Sequence, residues 1–126
     1  MAESAEDPFD NWTVQARKGV LELCILNALE RQERYGYELV KTLGALPGLG
    51  VTEGTIYPLL SRLRAQGLVT TRLEQSVEGP MRKYYALTPT GRASVGPMNG
   101  YISDLLSACR EIRRRPSSHD HLDPLR

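Results

Sequence analysis

From Val20 to Leu29 the chain is apolar almost all the way round a helix: Val20, Leu21, Leu23, Cys24, Ile25, Leu26, Ala28 and Leu29 leave hardly any polar side. A helix of that kind must be covered from every direction, so it is central to whatever fold forms. Apolar spacing reaches back to Val14, which predicts a first helix over residues 14–30. With 126 residues, the chain can surround that helix with one core and one accessory helix, but it cannot build two independent cores. Hydrophobic residues at 40% and charged residues at 25% are ordinary globular values and favour neither a disordered nor a fibrous chain.

Downstream, Tyr35-Gly36-Tyr37-Glu38-Leu39-Val40 opens a second helix that stops near Gly44, and Pro47, Gly48 and Gly50 mark a loop. Thr52 is the N-cap of a third helix, with Glu53 at its positive end. At 100° per residue, Ile56, Leu59, Leu60 and Leu63 form its apolar stripe, while Gly54, Thr55, Tyr57, Pro58, Ser61, Arg62 and Ala65 occupy the other side. Pro58 lacks an N–H and crowds the carbonyl of Gly54. The leucine stripe continues in phase across it, so the helix is read through to Gly67. Residues 69–73 and 83–87 then read as two short strands around a loop with Gly79-Pro80 at its tip. Helix, helix, turn, helix and hairpin is the order of a winged helix-turn-helix, whose third helix enters the major groove of DNA.

After the hairpin, Thr88-Pro89 reads as N-cap and first helical residue. Val95, Met98, Ile102, Leu105, Cys109 and Ile112 follow at spacings of three and four, the seam of a helix pair. Gly96-Pro97 and Gly100 weaken the first turns, which leaves residues 101–115 as the dependable helix. The expected organisation is an acidic arm (1–13), a winged helix-turn-helix (14–88), a C-terminal dimerisation helix (89–115) and an unordered tail (116–126). The expected class is mainly α with a small antiparallel β-hairpin.

A net charge of +1 hides an uneven distribution. Glu3, Glu6, Asp7 and Asp10 make the start acidic, whereas residues 51–92 carry Arg62, Arg64, Arg72, Arg82, Lys83 and Arg92 against Glu53, Glu74 and Glu78. That bias permits DNA binding without proving it. No apolar run is long enough to span a membrane, and the acidic start is unlike a signal peptide, so a cytoplasmic protein is expected. Cys24 and Cys109 lie far apart in apolar patterns and read as reduced thiols. His119 and His121 lack the further ligands that a metal site needs. With no phosphate-cradling glycine loop, no nucleophile elbow and no His near a candidate nucleophile, an enzyme is not expected, nor is a cofactor.

Five words sharpen this reading: Tyr35-Gly36-Tyr37-Glu38-Leu39, Thr52-Glu53-Gly54-Thr55-Ile56-Tyr57-Pro58-Leu59-Leu60, Arg62-Leu63, Gly67-Leu68-Val69 and Arg82-Lys83-Tyr84-Tyr85-Ala86-Leu87-Thr88. Together they resemble the PadR family of bacterial transcriptional regulators, in the branch with a short C-terminal helix. The resemblance is close over residues 17–92 and looser beyond, and the Gly54 to Leu60 word is its most specific part. It implies a homodimer in which each C-terminal helix packs on the other subunit, including its N-terminal region. It also implies repression of genes for detoxification, efflux or stress, with release by a small hydrophobic or aromatic effector. Gly96-Pro97, Gly100 and the N-terminal extension bearing Asn11-Trp12 depart from the family pattern.

By that resemblance, Thr52, Gly54, Thr55, Tyr57, Pro58 and Ser61 face DNA, and Arg62 is a weaker candidate. A dimer would present two such helices roughly 34 Å apart and select an inverted repeat. Tyr57 and Pro58 offer apolar contact to thymine methyls; Tyr57 could equally just pack. Arg82 and Lys83 are assigned to phosphates, with a solvated strand charge the alternative for Lys83. Tyr35 and Tyr37 are further phosphate candidates; Tyr35, Tyr84 and Tyr85 could instead be half-buried packing. Trp12 either clamps the partner's last helix or lines an effector pocket; Met98, Tyr101 and Leu105 are matching pocket candidates or plain dimer core, alongside Ile102 and Ile112. A redox role for Cys109 has only Arg110 nearby in its favour. Two rivals stay open: a winged-helix module that binds protein, which would want large apolar residues around Tyr57, Ser61 and Arg62, and an activator or adaptor without a small effector.

Overall fold

A computed structural model describes residues 7–116; the histidine pair and nearly all of the expected tail lie outside them. The elements run α1 (Pro8–Arg17), α2 (Val20–Leu29), β1 (Arg34–Tyr35), α3 (Gly36–Gly44), α4 (Glu53–Ala65), β2 (Val69–Gln75), β3 (Met81–Leu87) and α5 (Pro89–Arg114). The sheet is antiparallel in the order β1-β3-β2. The architecture is mainly helical with a small antiparallel sheet, as the sequence patterns indicated.

As its composition demands, α2 is the centre. Ile25, Leu26 and Leu29 are buried, and they pack with Leu39 and Leu43 of α3, Ile56, Leu60 and Leu63 of α4, Val69, Tyr85 and Leu87 of the sheet, and Val95 of α5. The single helix expected over 14–30 is instead two. Lys18 leaves the helical region and Gly19 takes φ +77°, which breaks the run and turns the chain. The break separates a helix with no buried residue from one with five. Nor is the segment before Val14 a plain arm: Asp7 accepts from Phe9 N–H at 3.0 Å and Pro8 fills the first turn, so α1 starts there.

The hairpin is longer than expected, pairing Val69 with Leu87 through to Gln75 with Met81. A third strand, β1, adds Arg34 and Tyr35 opposite Tyr85 and Tyr84; two residues are too few to show alternation in sequence. α5 also runs unbroken through Gly96-Pro97 and Gly100. Its start is held by Thr88, whose hydroxyl accepts from Gly91 N–H (2.9 Å) and donates to the Gly67 carbonyl (2.6 Å). Gly91 is bare because a Cβ there would collide with the backbone carbonyl of Leu68. The expected intermolecular seam is therefore split: Val95 belongs to the subunit's own core and Met98 packs against that core, while Leu105, Cys109 and Ile112 are exposed.

Candidate nucleic-acid interface

On α4, Ile56, Leu60 and Leu63 are buried, and the opposite face carries Gly54, Pro58, Ser61 and Ala65, all exposed. Pro58 lies within the helix and gives no N–H to the Gly54 carbonyl. Both residues are exposed, so the missing bond falls on the solvent side of the helix. A Cβ built on Gly54 would meet only Thr52 Oγ1, at 3.6 Å. Packing inside the subunit thus does not require glycine there.

Thr52 and Thr55 are less free than the sequence suggested. The Thr55 hydroxyl accepts from Thr52 N–H (2.8 Å), donates to the Thr52 carbonyl (2.9 Å) and lies 3.1 Å from the Thr52 hydroxyl. Both belong to the helix cap; with Thr55's proton spent, Thr52 holds the one that can be offered outward. Tyr57, 38% exposed, stands at one edge of the face with its ring over Gly36. A Cβ on Gly36 would be 2.7 Å from Tyr57 Cε1 and 2.8 Å from the phenol oxygen, so this contact locks α3 to α4. Burial, then the Glu53 carboxylate, pushes the phenol upward in pKa and keeps it a neutral donor. Arg62 is turned toward α2, its Nε 3.2 Å from the mostly buried Glu22 Oε2. That oxygen has no hydrogen bond, so the pair rests on charge proximity alone.

Beyond the Tyr57 edge, cations and rings alternate across the wing and the start of α3. Arg82 lies 4.5 Å over the Tyr35 ring, Arg72 lies 4.7 Å over Tyr84, and Lys41 lies 5.4 Å over Tyr37. Tyr35 is 5.7 Å from Tyr84 and 6.4 Å from Tyr37. With the hairpin tip, the three tyrosines and Arg82 border a concavity of about 630 Å³. Arg72 is not available to an outside anion: its Nε donates to Glu33 Oε1 at 2.9 Å, and its other nitrogens reach Glu33 and Glu74. The pairing raises its pKa and lowers that of Glu33. Arg82 forms no ion pair among the described residues. Lys83, one residue on, points to the other face of the hairpin, the one that carries buried Tyr85. Arg82 and Lys83, expected to act together, are thus separated by the pleat.

Residues 25–96 match the model of the family described as transcriptional regulator PadR-like. The chain belongs to this family. Over 79 residues, 63% of this chain and 72% of the relative, it is 35% identical to the transcriptional regulator Rv3488 of Mycobacterium tuberculosis. The crystal structure of a PadR-like transcriptional regulator from Bacillus cereus aligns with a TM-score of 0.71 at 35% identity, covering 81% of this chain and 99% of that one. A PadR family regulator from Eggerthella lenta aligns at 0.75 with 27% identity, covering 86% and 94%. This protein is accordingly a PadR-family transcriptional regulator, and DNA binding is implied by its family.

In this PadR-family chain two grooves meet at the α1–α2 corner, and one of them gathers part of the remaining candidates. One, of about 480 Å³, runs between the α1–α2 corner and α5, and is lined by Ala16, Lys18, Gly19, Val20, Leu23, Pro97, Met98, Tyr101, Ile102 and Leu105. The structure thus brings together Met98, Tyr101, Ile102 and Leu105. It does not bring Trp12 to them within one subunit; Trp12 lies exposed on α1, stacked on Phe9 with ring centroids 6.5 Å apart. Cys109 and Ile112 lie farther along α5, outside the groove. The second groove, of about 320 Å³, separates Val14, Arg17, Lys18, Gly19 and Leu21 from Gly54, Thr55, Pro58 and Leu59. Sequence reasoning gave no role to Gly36, Glu22 or Glu33. Each takes its role from a residue distant in the chain, and no local spacing announces that. Among the described residues, no helix is long and apolar enough to cross a membrane and no group of side chains is placed to hold a metal.

Proposed function

We propose that this protein is a homodimeric repressor that reads an inverted-repeat operator with one α4 per subunit and is released by a small apolar or aromatic effector. The observation that carries the reading is the bare exposed face of α4. Gly54 has no packing reason to be glycine, and with Pro58 and Ser61 it makes a surface low enough for base edges to approach closely. Thr52, Thr55 and the exposed edge of Tyr57 border that surface, and Arg82 with Tyr35 and Tyr37 supplies phosphate contacts from the wing. Lys83 adds charge from the other hairpin face, and Arg62 is a weaker contributor because its guanidinium faces Glu22.

Dimerisation is assigned to α5 and α1. Leu105 (46% exposed) and Ile112 (67% exposed) continue a seam that the subunit itself leaves uncovered, together with Ile102, Cys109, Phe9 and Trp12. The groove beside Met98, Tyr101 and Leu105 is the effector candidate, since its lining is mostly apolar, with the Tyr101 phenol and Lys18 as its polar side chains. The deciding experiment is selection of bound duplexes from a random library, with the winners compared against scrambled DNA at two salt concentrations. Enrichment of an inverted repeat is expected. Binding to any duplex alike, with steep salt dependence, would overturn sequence-specific regulation and favour a protein-binding winged helix.

A further inference from the structure

We propose that Arg17 and Lys18, at the end of α1, form a second DNA-contacting element that grips the phosphate backbone beside α4; this rests on α4 being the DNA-facing helix. The turn at Gly19 (φ +77°) lays the last turn of α1 along α4, where Arg17 and Lys18 line one groove with Gly54, Thr55 and Pro58. Gly54 and Pro58 belong to the exposed face itself, so these two cations stand at its border. Arg17 is not a loose surface charge. Its guanidinium carbon lies 3.4 Å from the Cβ position of Gly50, on the loop that leads into α4, and the residue is half-buried. Lys18 is exposed, with Nζ 3.2 Å from Gln15 Oε1.

Charge availability separates these two from their neighbours. Arg62 faces Glu22, and Arg72 is held by Glu33 and Glu74. Neither Arg17 nor Lys18 forms an ion pair among the described residues. Position matters as well. Thr55 and Tyr57 lie on opposite edges of the α4 face; α1 is on the Thr55 side, whereas Tyr57 leans on Gly36, toward the wing that carries Arg82. A helix in the major groove has a phosphate strand on each flank, so Arg17 and Lys18 serve one strand and Arg82 the other.

The test uses the full chain with Arg17→Gln/Lys18→Gln, which keeps the side-chain stems, and Arg17→Lys as the charge-retaining control. Affinity is measured from 50 to 200 mM salt on a mixed-sequence duplex and on the duplex most enriched from a random library. Each lost phosphate contact lowers the slope of log affinity against log salt by about 0.9, and a dimer loses four, so the double variant's loss of affinity over that range should be roughly 150-fold smaller than wild type's. The reduction should be equal on both duplexes, with sedimentation and sequence preference unchanged and Arg17→Lys close to wild type. An unchanged slope overturns the proposal. Should the double variant unfold, Lys18→Gln alone, at an exposed position, must still lower the slope by about 1.8 for the dimer, and failure to do so overturns it equally. A wild-type chain that selects a sequence while the variants keep its slope would sink only this proposal; a wild type that binds no duplex would sink the α4 reading as well.

Discussion

Two helices of this protein carry a proline in their interior, Pro58 in α4 and Pro97 in α5, and they accommodate it on different terms. α4 is pinned on both sides of its proline by Ile56, Leu60 and Leu63, and the proline falls on the solvent side, so the missing hydrogen bond costs a surface carbonyl rather than a buried one. α5 is pinned mainly ahead of its proline, where Gly91 and Val95 are its buried residues. Just past it, Asn99 exchanges amide hydrogen bonds with Asn27 of α2 (3.0 and 2.8 Å) and donates to the Val95 carbonyl (2.9 Å). Beyond that point Leu105, Leu106 and Ile112 are exposed. α4 is thus completed by its own subunit, whereas the last half of α5 has an apolar seam without a cover. Rigidity is placed where DNA geometry would need it, and incompleteness where a second copy would supply the rest.

The same truncation should therefore read very differently in the two helices. Leu60→Ala, in the fully buried stripe, is expected to cost about 2–5 kcal/mol in urea unfolding, from lost transfer energy and the cavity left behind. Leu105→Ala should change subunit stability by less than about 0.5 kcal/mol, as exposed substitutions do. Leu105→Asp should leave the subunit folded and convert a dimer to a monomer in sedimentation velocity; a dimer that survives it would break the comparison. Next in size is the joint between the two regions. Gly91→Ala drives a methyl into the Leu68 carbonyl, and since backbone must shift to relieve it, about 1–3 kcal/mol should be lost. A variant as stable as wild type would show that α5 is not clamped there.

That contrast also explains what could be read from the chain in advance. The core of α2, the stripe of α4 and the cap at Thr88 are carried by local spacing, so they are legible one element at a time. The break at Gly19 was hidden because apolar spacing carries on from Val14 to Val20 across it and a helical wheel does not register a positive φ. β1 was hidden because two residues make no pattern, and its pairing depends on Tyr84 and Tyr85 from the far end of the domain. Among the site residues, Gly54, Pro58 and Ser61 follow from the phase of the leucines. Arg62 and Arg82 do not separate by composition; only the positions of Glu22 and Tyr35 in space make one guanidinium occupied and the other available.

A smaller effect should locate the boundary between the pinned and the unpinned parts of α5. Asn99→Ala removes the reciprocal amide pair and the bond to the Val95 carbonyl, and is expected to cost about 0.5–1.5 kcal/mol. If the pair is what holds the middle of α5 to α2, Asn27→Ala should cost little more once Asn99 is gone, and a double-mutant cycle in urea unfolding reads that coupling. Fully additive losses would mean that Met98 alone positions this part of the helix.

The smallest expected effect belongs to the wing, where Glu33 ties β2 to the segment before β1 through Arg72. Hydrogen bonds from Arg72, opposed by desolvation and assisted by charge attraction, hold the Glu33 carboxyl below its ordinary value of 4.5. A carboxylate with a lowered folded-state pKa stabilises the fold above its unfolded value, and the contribution fades as pH falls through the folded value. Because both side chains are largely exposed, water and salt screen the pair and the effect is slight. Acid titration by NMR should show Glu33 releasing its proton at lower pH in the wild type than in Arg72→Gln, with the difference shrinking in high salt. Stability of Glu33→Gln should match wild type at acid pH and fall slightly below it at neutral pH. Were the variant equally stable at both, the wing would be held by strand pairing and the Arg72–Tyr84 contact alone, and Arg72 would then be released toward an outside anion at no cost to the fold.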